Sequence, residues 1–317
     1  TSQLSLTHGA AYQIAVQTNP VGGASGSQLT TQPVVIVQDR HGNTVTSDNG
    51  TVITAALGGF QNTGTLSGTR TSVTSNGQAA FAGIVMSGRI NTQYVLAFTS
   101  SGLVAVNSAN YTISQGPTNV TNSAIEADAA AIVANGTATT VITVSIKDTE
   151  GNVVAASAGT VALTVAQGTG SLSAVVDNNN GTYTSTFTAG TVSGTAQIIG
   201  TLNGSALGGS ASIILTSGPA ENSQILVAPG TSASGALLNP QPQIVIKDVN
   251  GNTVTSDSST VVTLSLKSGD SGTLAGTLTA TASSGIAQFS NVTLSGLVGT
   301  NYVLEFDPNT SGVRSID

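Results

Sequence analysis

The chain has 317 residues, a net charge of −7 and 39% hydrophobic, 3% aromatic and only 7% charged residues. This excludes a disordered chain, which pairs low hydrophobicity with high charge. The seven scattered basic residues (Arg40, Arg70, Arg89, Lys147, Lys247, Lys267 and Arg314) also exclude the clustered footprint that nucleic acid requires. With no Cys, disulfides, Cys-based zinc sites and thiol nucleophiles are excluded, and no apolar run reaches the ~18 residues of a membrane helix.

The length suits three domains of roughly 100 residues, each able to bury its own core. Abundant Val, Ala, Ile, Thr, Ser and Gly points to many short strands with frequent turns. Residues 1–7 read as a final strand, either of a preceding domain or donated to a neighbouring molecule, because Leu4-Ser5-Leu6-Thr7-His8-Gly9 loosely copies two later segments. Those segments are Thr112-Ile113-Ser114-Gln115-Gly116-Pro117 and Leu215-Thr216-Ser217-Gly218-Pro219. Each reads as a last strand running into a short, semi-rigid joint, since Pro after Gly restricts the linker. The boundaries that follow are 8–116, 117–217 and 218–317 for three β-sandwiches, with the last strand of the third one missing.

One phrase recurs in all three. It runs Val35-Ile36-Val37-Gln38-Asp39-Arg40-His41-Gly42-Asn43-Thr44-Val45, then Val144-Ser145-Ile146-Lys147-Asp148-Thr149-Glu150-Gly151-Asn152-Val153-Val154, then Ile244-Val245-Ile246-Lys247-Asp248-Val249-Asn250-Gly251-Asn252-Thr253-Val254. The Asp positions stand 109 and 100 residues apart, the size of one sandwich domain. In the strand that runs into the phrase, residues alternate. Ile142, Val144 and Ile146 share one face while Thr143, Ser145 and Lys147 share the other, and Ile244 and Ile246 oppose Gln243 and Lys247. Phe81, Phe98, Phe187, Phe289 and Phe306 read as core residues, and Tyr94 and Tyr302 as packed rings whose hydroxyls reach the backbone. The first and third domains are close relatives, as Tyr94-Val95-Leu96-Ala97-Phe98 against Tyr302-Val303-Leu304-Glu305-Phe306 shows.

The middle segment resembles a bacterial Ig-like domain of the invasin/intimin type. The residues that carry the likeness are Ala134-Asn135-Gly136-Thr137, Ile146-Lys147-Asp148, Gly151-Asn152-Val153-Val154, Gly170-Ser171-Leu172 and Asn180-Gly181-Thr182-Tyr183. The resemblance covers about residues 117–217, and the flanking domains share the Asp-x-x-Gly-Asn core. It implies an all-β tandem array of three Ig-like antiparallel β-sandwiches on a bacterial cell surface, a rod that holds some terminal domain away from the cell. Receptor binding in such proteins belongs to a specialised tip domain, so no binding residue is carried over.

Asp-x-x-Gly-Asn also invites a calcium reading, with Asp39 and Asp48, or Asp248 and Asp257, supplying oxygens. A turn explains it more simply. Asp caps backbone N–H groups, and Gly then Asn accommodate positive φ; moreover the middle domain has no acid matching Asp48. No Gly-x-Ser-x-Gly, P-loop or His-Glu-x-x-His is present, and Glu126, Glu150, Glu221 and Glu305 are isolated. Catalytic, cofactor-binding and metal-binding residues are therefore assigned to none. The expected role is a structural stalk whose partners are neighbouring Ig-like domains of the same or an identical chain, without nucleic acid or membrane insertion. The alternatives are a head-to-tail self-assembling subunit of a filament, sheath or S-layer, and a glycan- or host-protein-binding module.

Overall fold

The computed structural model describes residues 3–59, 64–310 and 312–317. All regular structure among them is β-strand, and the buried hydrophobic residues fall into three separate clusters along the chain. The first runs from Ile14 to Ile113, the second from Ile125 to Leu215, and the third from Leu238 to Phe306. Each is a sandwich core of alternating Val, Ile, Leu and Ala plugged by aromatics. Phe81 lies 5.5 Å from Phe98 and Phe289 lies 5.7 Å from Phe306, ring centroid to centroid, so the first and third domains repeat the same aromatic pair.

The middle domain shows the architecture most plainly. One sheet orders Thr118–Ala127, Thr139–Asp148, Thr182–Ala189 and Gly170–Leu172, with Val176–Asp177 on the side. The other orders Ala131–Val133, Ala211–Thr216, Gly194–Leu202 and Val161–Gln167, with Ser205–Ala206. In Thr139–Asp148 the predicted faces are observed: Ile142, Val144 and Ile146 are buried and Thr143, Ser145 and Lys147 half-buried. The pairing is antiparallel except where Ala131–Val133 runs parallel to Ile214–Thr216. That exception lets one strand cross from sheet to sheet at the domain's edge.

In the first domain Val34–Gln38 sits between Gln13–Thr18 and Gln78–Ala80, and Val95–Thr99 between Val106–Asn107 and Val52–Gly58. The third domain repeats this with Gln243–Lys247 between Asn222–Val227 and Ile286–Gln288, and Leu304–Pro308 on Val261–Leu266. Here the alternation is incomplete, because Val245 is buried on the face that Gln243 and Lys247 share. Tyr94 and Tyr302 do turn their hydroxyls to the backbone, at Arg89 and Leu297. Residues 3–9 form no strand, and Leu4 and Leu6 are 87% and 86% exposed. The expected strand 1–7 also includes residues 1 and 2, which lie outside the described residues.

Candidate functional site: the joints between domains

The three copies of Asp-x-x-Gly-Asn fold alike. Each closes a hairpin over three residues, with the Gly N–H donating to the Asp carbonyl and the Asp N–H to the Asn carbonyl. The latter distance is 3.0 Å at Asp39 and 2.9 Å at Asp148 and Asp248. Gly42, Gly151 and Gly251 all sit at φ +84°, the left-handed position that ends such a loop and that Gly occupies without a Cβ penalty. The expectation that Asn also takes positive φ is corrected: none of Asn43, Asn152 and Asn252 does. Its side chain has another use.

Each Asp carboxylate gathers donors. One oxygen of Asp148 accepts the N–H groups of Glu150 (3.0 Å) and Asn152 (2.8 Å). The other accepts the Asn152 amide (2.8 Å) and the Gly116 N–H (2.8 Å), which belongs to the joint with the first domain. Asp248 does the same with Asn250, Asn252 and Gly218 of the second joint. Asp39 does it with His41, Asn43 and Gly9. Burial alone would raise the Asp148 and Asp248 carboxyls, but the Asn amide and the three N–H donors outweigh it and hold both below the usual carboxylate range. The Gly9 N–H and then the Asn43 amide do likewise for Asp39. Charge-assisted bonds of this kind are roughly twice as strong as neutral ones, so a joint glycine is tied to each sandwich by a buried anion.

The Asn side chain then crosses the joint. The Asn152 amide donates to Gly88 O (3.0 Å) while its oxygen accepts from Ile90 N–H (3.0 Å), both in the first domain. The Asn252 amide donates to Thr191 O (2.9 Å) and its oxygen accepts from Ser193 N–H (2.8 Å), both in the second. The pattern is the same: one planar amide reads the carbonyl of residue i and the N–H of residue i+2 on a loop of the preceding domain. Asn152 and Asn252 are only 7% and 9% exposed, so these are protected bonds. Each joint adds one side-chain contact of its own. Ser25 Oγ donates to Glu150 (2.8 Å) at the first, and Asn250 donates to Ala134 O (3.1 Å) at the second.

The carboxylates weighed above as calcium ligands accept from protein donors through all but one of their oxygens. Asp39 is described above, and Asp48 accepts from the hydroxyls of Thr51 and Thr74. Asp257 accepts from Ser259 and Thr260 through one oxygen, while its other oxygen is buried without a partner among the described residues. No group of three or more His, Cys, Asp or Glu among the described residues is placed to share a metal ion. Of the three lysines, Lys147 and Lys247 are half-buried and the exposed Lys267 pairs with Asp317.

Sequence reasoning found the motif and the joints but not the link between them. The signal was there. The joint glycine precedes the motif Asp by 30, 32 and 30 residues in the three copies, so the two features repeat together.

Residues 119–218 match the family model Invasin, domain 3. No curated protein sequence matches the chain significantly. Among solved structures the chain is similar to invasin, described as a bacterial integrin-binding protein, at 20% identity over 93% of this chain with a TM-score of 0.42. It spans 56% of that invasin chain's length. It is also similar to FdeC, an Escherichia coli adhesin, at 20% identity over 97% of this chain and 96% of that one, with a TM-score of 0.41. Domains 5–6 of the S-layer protein SbsC align at 20% identity over 65% of this chain and 98% of that one, with a TM-score of 0.27. The family match, rather than these distant likenesses, assigns the middle domain. The chain is an all-β tandem array of three antiparallel sandwiches whose middle member matches the invasin domain 3 family over residues 119–218.

Proposed function

We propose that the chain is a stalk segment of an extracellular bacterial surface protein of the adhesin class, with domain boundaries at 116/117 and 217/218. Its task is reach and mechanical continuity, performed without catalysis. The observation that carries the reading is the joint itself. The same Asp, Gly and Asn groups tie each domain to the one before it, at Asp148–Gly116–Asn152 and again at Asp248–Gly218–Asn252. A repeated, buried, side-chain-specific clamp is what a chain needs to transmit orientation from one sandwich to the next. Binding through exposed aromatics has less support, since most of the aromatic rings named above are core residues and Arg40 lies over the half-exposed Tyr12 at 4.4 Å.

Small-angle scattering of the dilute chain tests this. The expected result is one extended conformer, on the order of 100 Å long if each domain contributes roughly 35 Å. A profile that requires domains tumbling freely about the joints would count against it.

A further inference from the structure

The flanking domains cover a sheet edge that the middle domain leaves open. In the first domain Val52–Gly58 has Thr71–Val73 along one side, and in the third Val261–Leu266 has Thr279–Ser283. Ile53 and Val262, each the first buried residue of its strand, lie opposite Ser72 and Ala280. The next buried residues donate across the same side, Ala55 N–H to Arg70 O (2.7 Å) and Leu264 N–H to Leu278 O (2.8 Å).

The counterpart in the middle domain is Val161–Gln167, with Val161 as its first buried residue. It pairs with Gly194–Leu202 alone. The chain that follows, Gly170–Leu172 and then Val176–Asp177, joins Thr182–Ala189 in the opposite sheet and leaves the other side bare. Asn203 N–H donates to Thr160 O (2.8 Å), which sets the alternation of the ladder. Ala162 and Thr164 turn their backbone groups to Gly194–Leu202, while Val161, Leu163 and Val165 turn theirs to the bare side. The N–H and C=O groups of those three have no partner among the described residues. Core surface is uncovered as well: Leu163 is half-buried where Ala55 and Leu264 are 1% and 2% exposed.

Nothing in the sequence guards this edge. Native sheets blunt a free edge with charge, proline or a covering segment, yet no Asp, Glu, Lys, Arg or Pro lies between Glu150 and Asp177. The third domain shows what kind of strand fits. There the covering strand turns Leu278, Ala280 and Ala282 inward and Thr279 and Thr281 to solvent. Val161–Gln167 has the same make-up, with Val161, Leu163 and Val165 inward and Ala162, Thr164 and Ala166 exposed. The open strand is therefore complementary to itself.

We propose that the middle domain pairs edge to edge with the middle domain of a second copy, Val161–Val165 of each lying antiparallel about a two-fold axis at Leu163. Val161 of one copy faces Val165 of the other, and the two Leu163 face each other. Every outward N–H and C=O of these residues gains a partner, and the half-buried Leu163 and Val165 gain the cover that Ala55 and Leu264 already have. The bulge between Val165 and Gln167 bends the strand beyond this run and ends the pairing there. Val161–Gln167 runs toward the second joint, where the Thr169 hydroxyl donates to Val192 O (3.4 Å). The two copies therefore point in opposite directions, as stalks reaching from facing surfaces do. So short a run, against the roughly 20–30 residues a side of a standard interface, is weak as a single pair and gains strength when many pairs act together. The inference goes beyond the stalk reading, whose test is the shape of the dilute, unassociated chain.

Sedimentation velocity over a series reaching about 1 mM, the scale of effective concentration between tethered partners, is expected to show a dimer that grows with concentration. Ala162→Lys with Thr164→Lys, both at exposed positions, sets like charges opposite each other across the axis and should abolish it. Thr54→Lys with Ala56→Lys, at the matching exposed positions of the covered strand in the first domain, should leave it unchanged. Thermal unfolding of both variants confirms that each folds. The chain has no Cys, so a weak pair can be trapped and its register read. Ala162 of one copy faces Thr164 of the other at about 4.5 Å between Cα atoms, within disulfide range. Like residues stand about 8 Å apart, beyond it. Mixing Ala162→Cys chains with Thr164→Cys chains under oxidation should therefore give the mixed dimer severalfold over either like dimer. A chain that stays monomeric and uncrosslinked, as it would if a strand of another protein fills this edge, overturns the proposal. So do dimers that survive the lysines at 162 and 164, dimers lost equally with the lysines at 54 and 56, or like and mixed disulfides in equal yield.

Discussion

Asn43 and Asn152 occupy the same place in the same turn, yet Asn152 is buried and Asn43 lies open to solvent. Their hairpins share the glycine at φ +84°, the Asp that accepts from residues two and four further on, and the joint N–H bonded to that Asp. The difference is the neighbour: a loop of the preceding domain covers Asn152, and no such loop covers Asn43 among the described residues. The turn is thus a local structure, complete on its own, that presents an amide for use by another domain. Removing shared parts should harm every copy, while removing the Asn should harm only the copies in use.

The largest effect is expected from Asp248→Ala, which leaves the N–H groups of Gly218, Asn250 and Asn252 and the Asn252 amide without their acceptor. A loss of about 3 kcal/mol or more follows from leaving several buried donors unpaired, read by urea unfolding of signals from the third domain. Asn252→Ala or Asn152→Ala should cost about 1–3 kcal/mol and act on the joint, broadening the domain orientations seen by residual dipolar couplings while the sandwiches stay intact. Asn43→Ala in dilute solution should stay within about 0.5 kcal/mol, as a surface change does.

The two occupied joints can be separated by their glycines. A Cβ at Gly116 would sit 2.6 Å from Ser25 O, whereas at Gly218 the nearest atom is 3.6 Å away, in Asp248. Gly116→Ala should therefore cost about 1–3 kcal/mol through forced backbone shifts and Gly218→Ala within about 0.5 kcal/mol. Equal costs in a thermal unfolding series would mean that the first joint is no tighter than the second.

The smallest effect is that of pH. Asp148 and Asp248 are held below their usual value of 3.8 in the folded chain. A lowered folded value means that their stabilisation is fully present above the unfolded value and is lost only as pH falls through the lowered one. Joint order should be flat from neutral pH to about 5 and fall below about 4, with scattering as the readout.

Much of this architecture was legible in sequence. Period-two alternation in Val141–Lys147 set the buried face, because a strand has only two, and the tripled phrase with its Gly-Pro joints announced three cores. The phenylalanines were legible because nothing on so uncharged a surface gave them another use. The clamp was not. Asp-x-x-Gly-Asn explains itself as a turn, and nothing local in Asn152 says that its amide meets Gly88 and Ile90, 64 and 62 residues earlier. The burial of Val245 escaped for a similar reason: alternation predicts which face a residue takes but not what later covers it.

Amide hydrogen exchange in dilute solution tests the clamp most directly. Ile90 and Ser193 donate to Asn152 and Asn252, while Val298 holds the corresponding place in the third domain with no acceptor among the described residues. Ile90 and Ser193 N–H should be protected, Asn152→Ala and Asn252→Ala should each release only the amide across its own joint, and Val298 should exchange freely throughout. If Ile90 and Ser193 exchange as fast as Val298 in the unaltered chain, the joints are not clamped and the account is wrong.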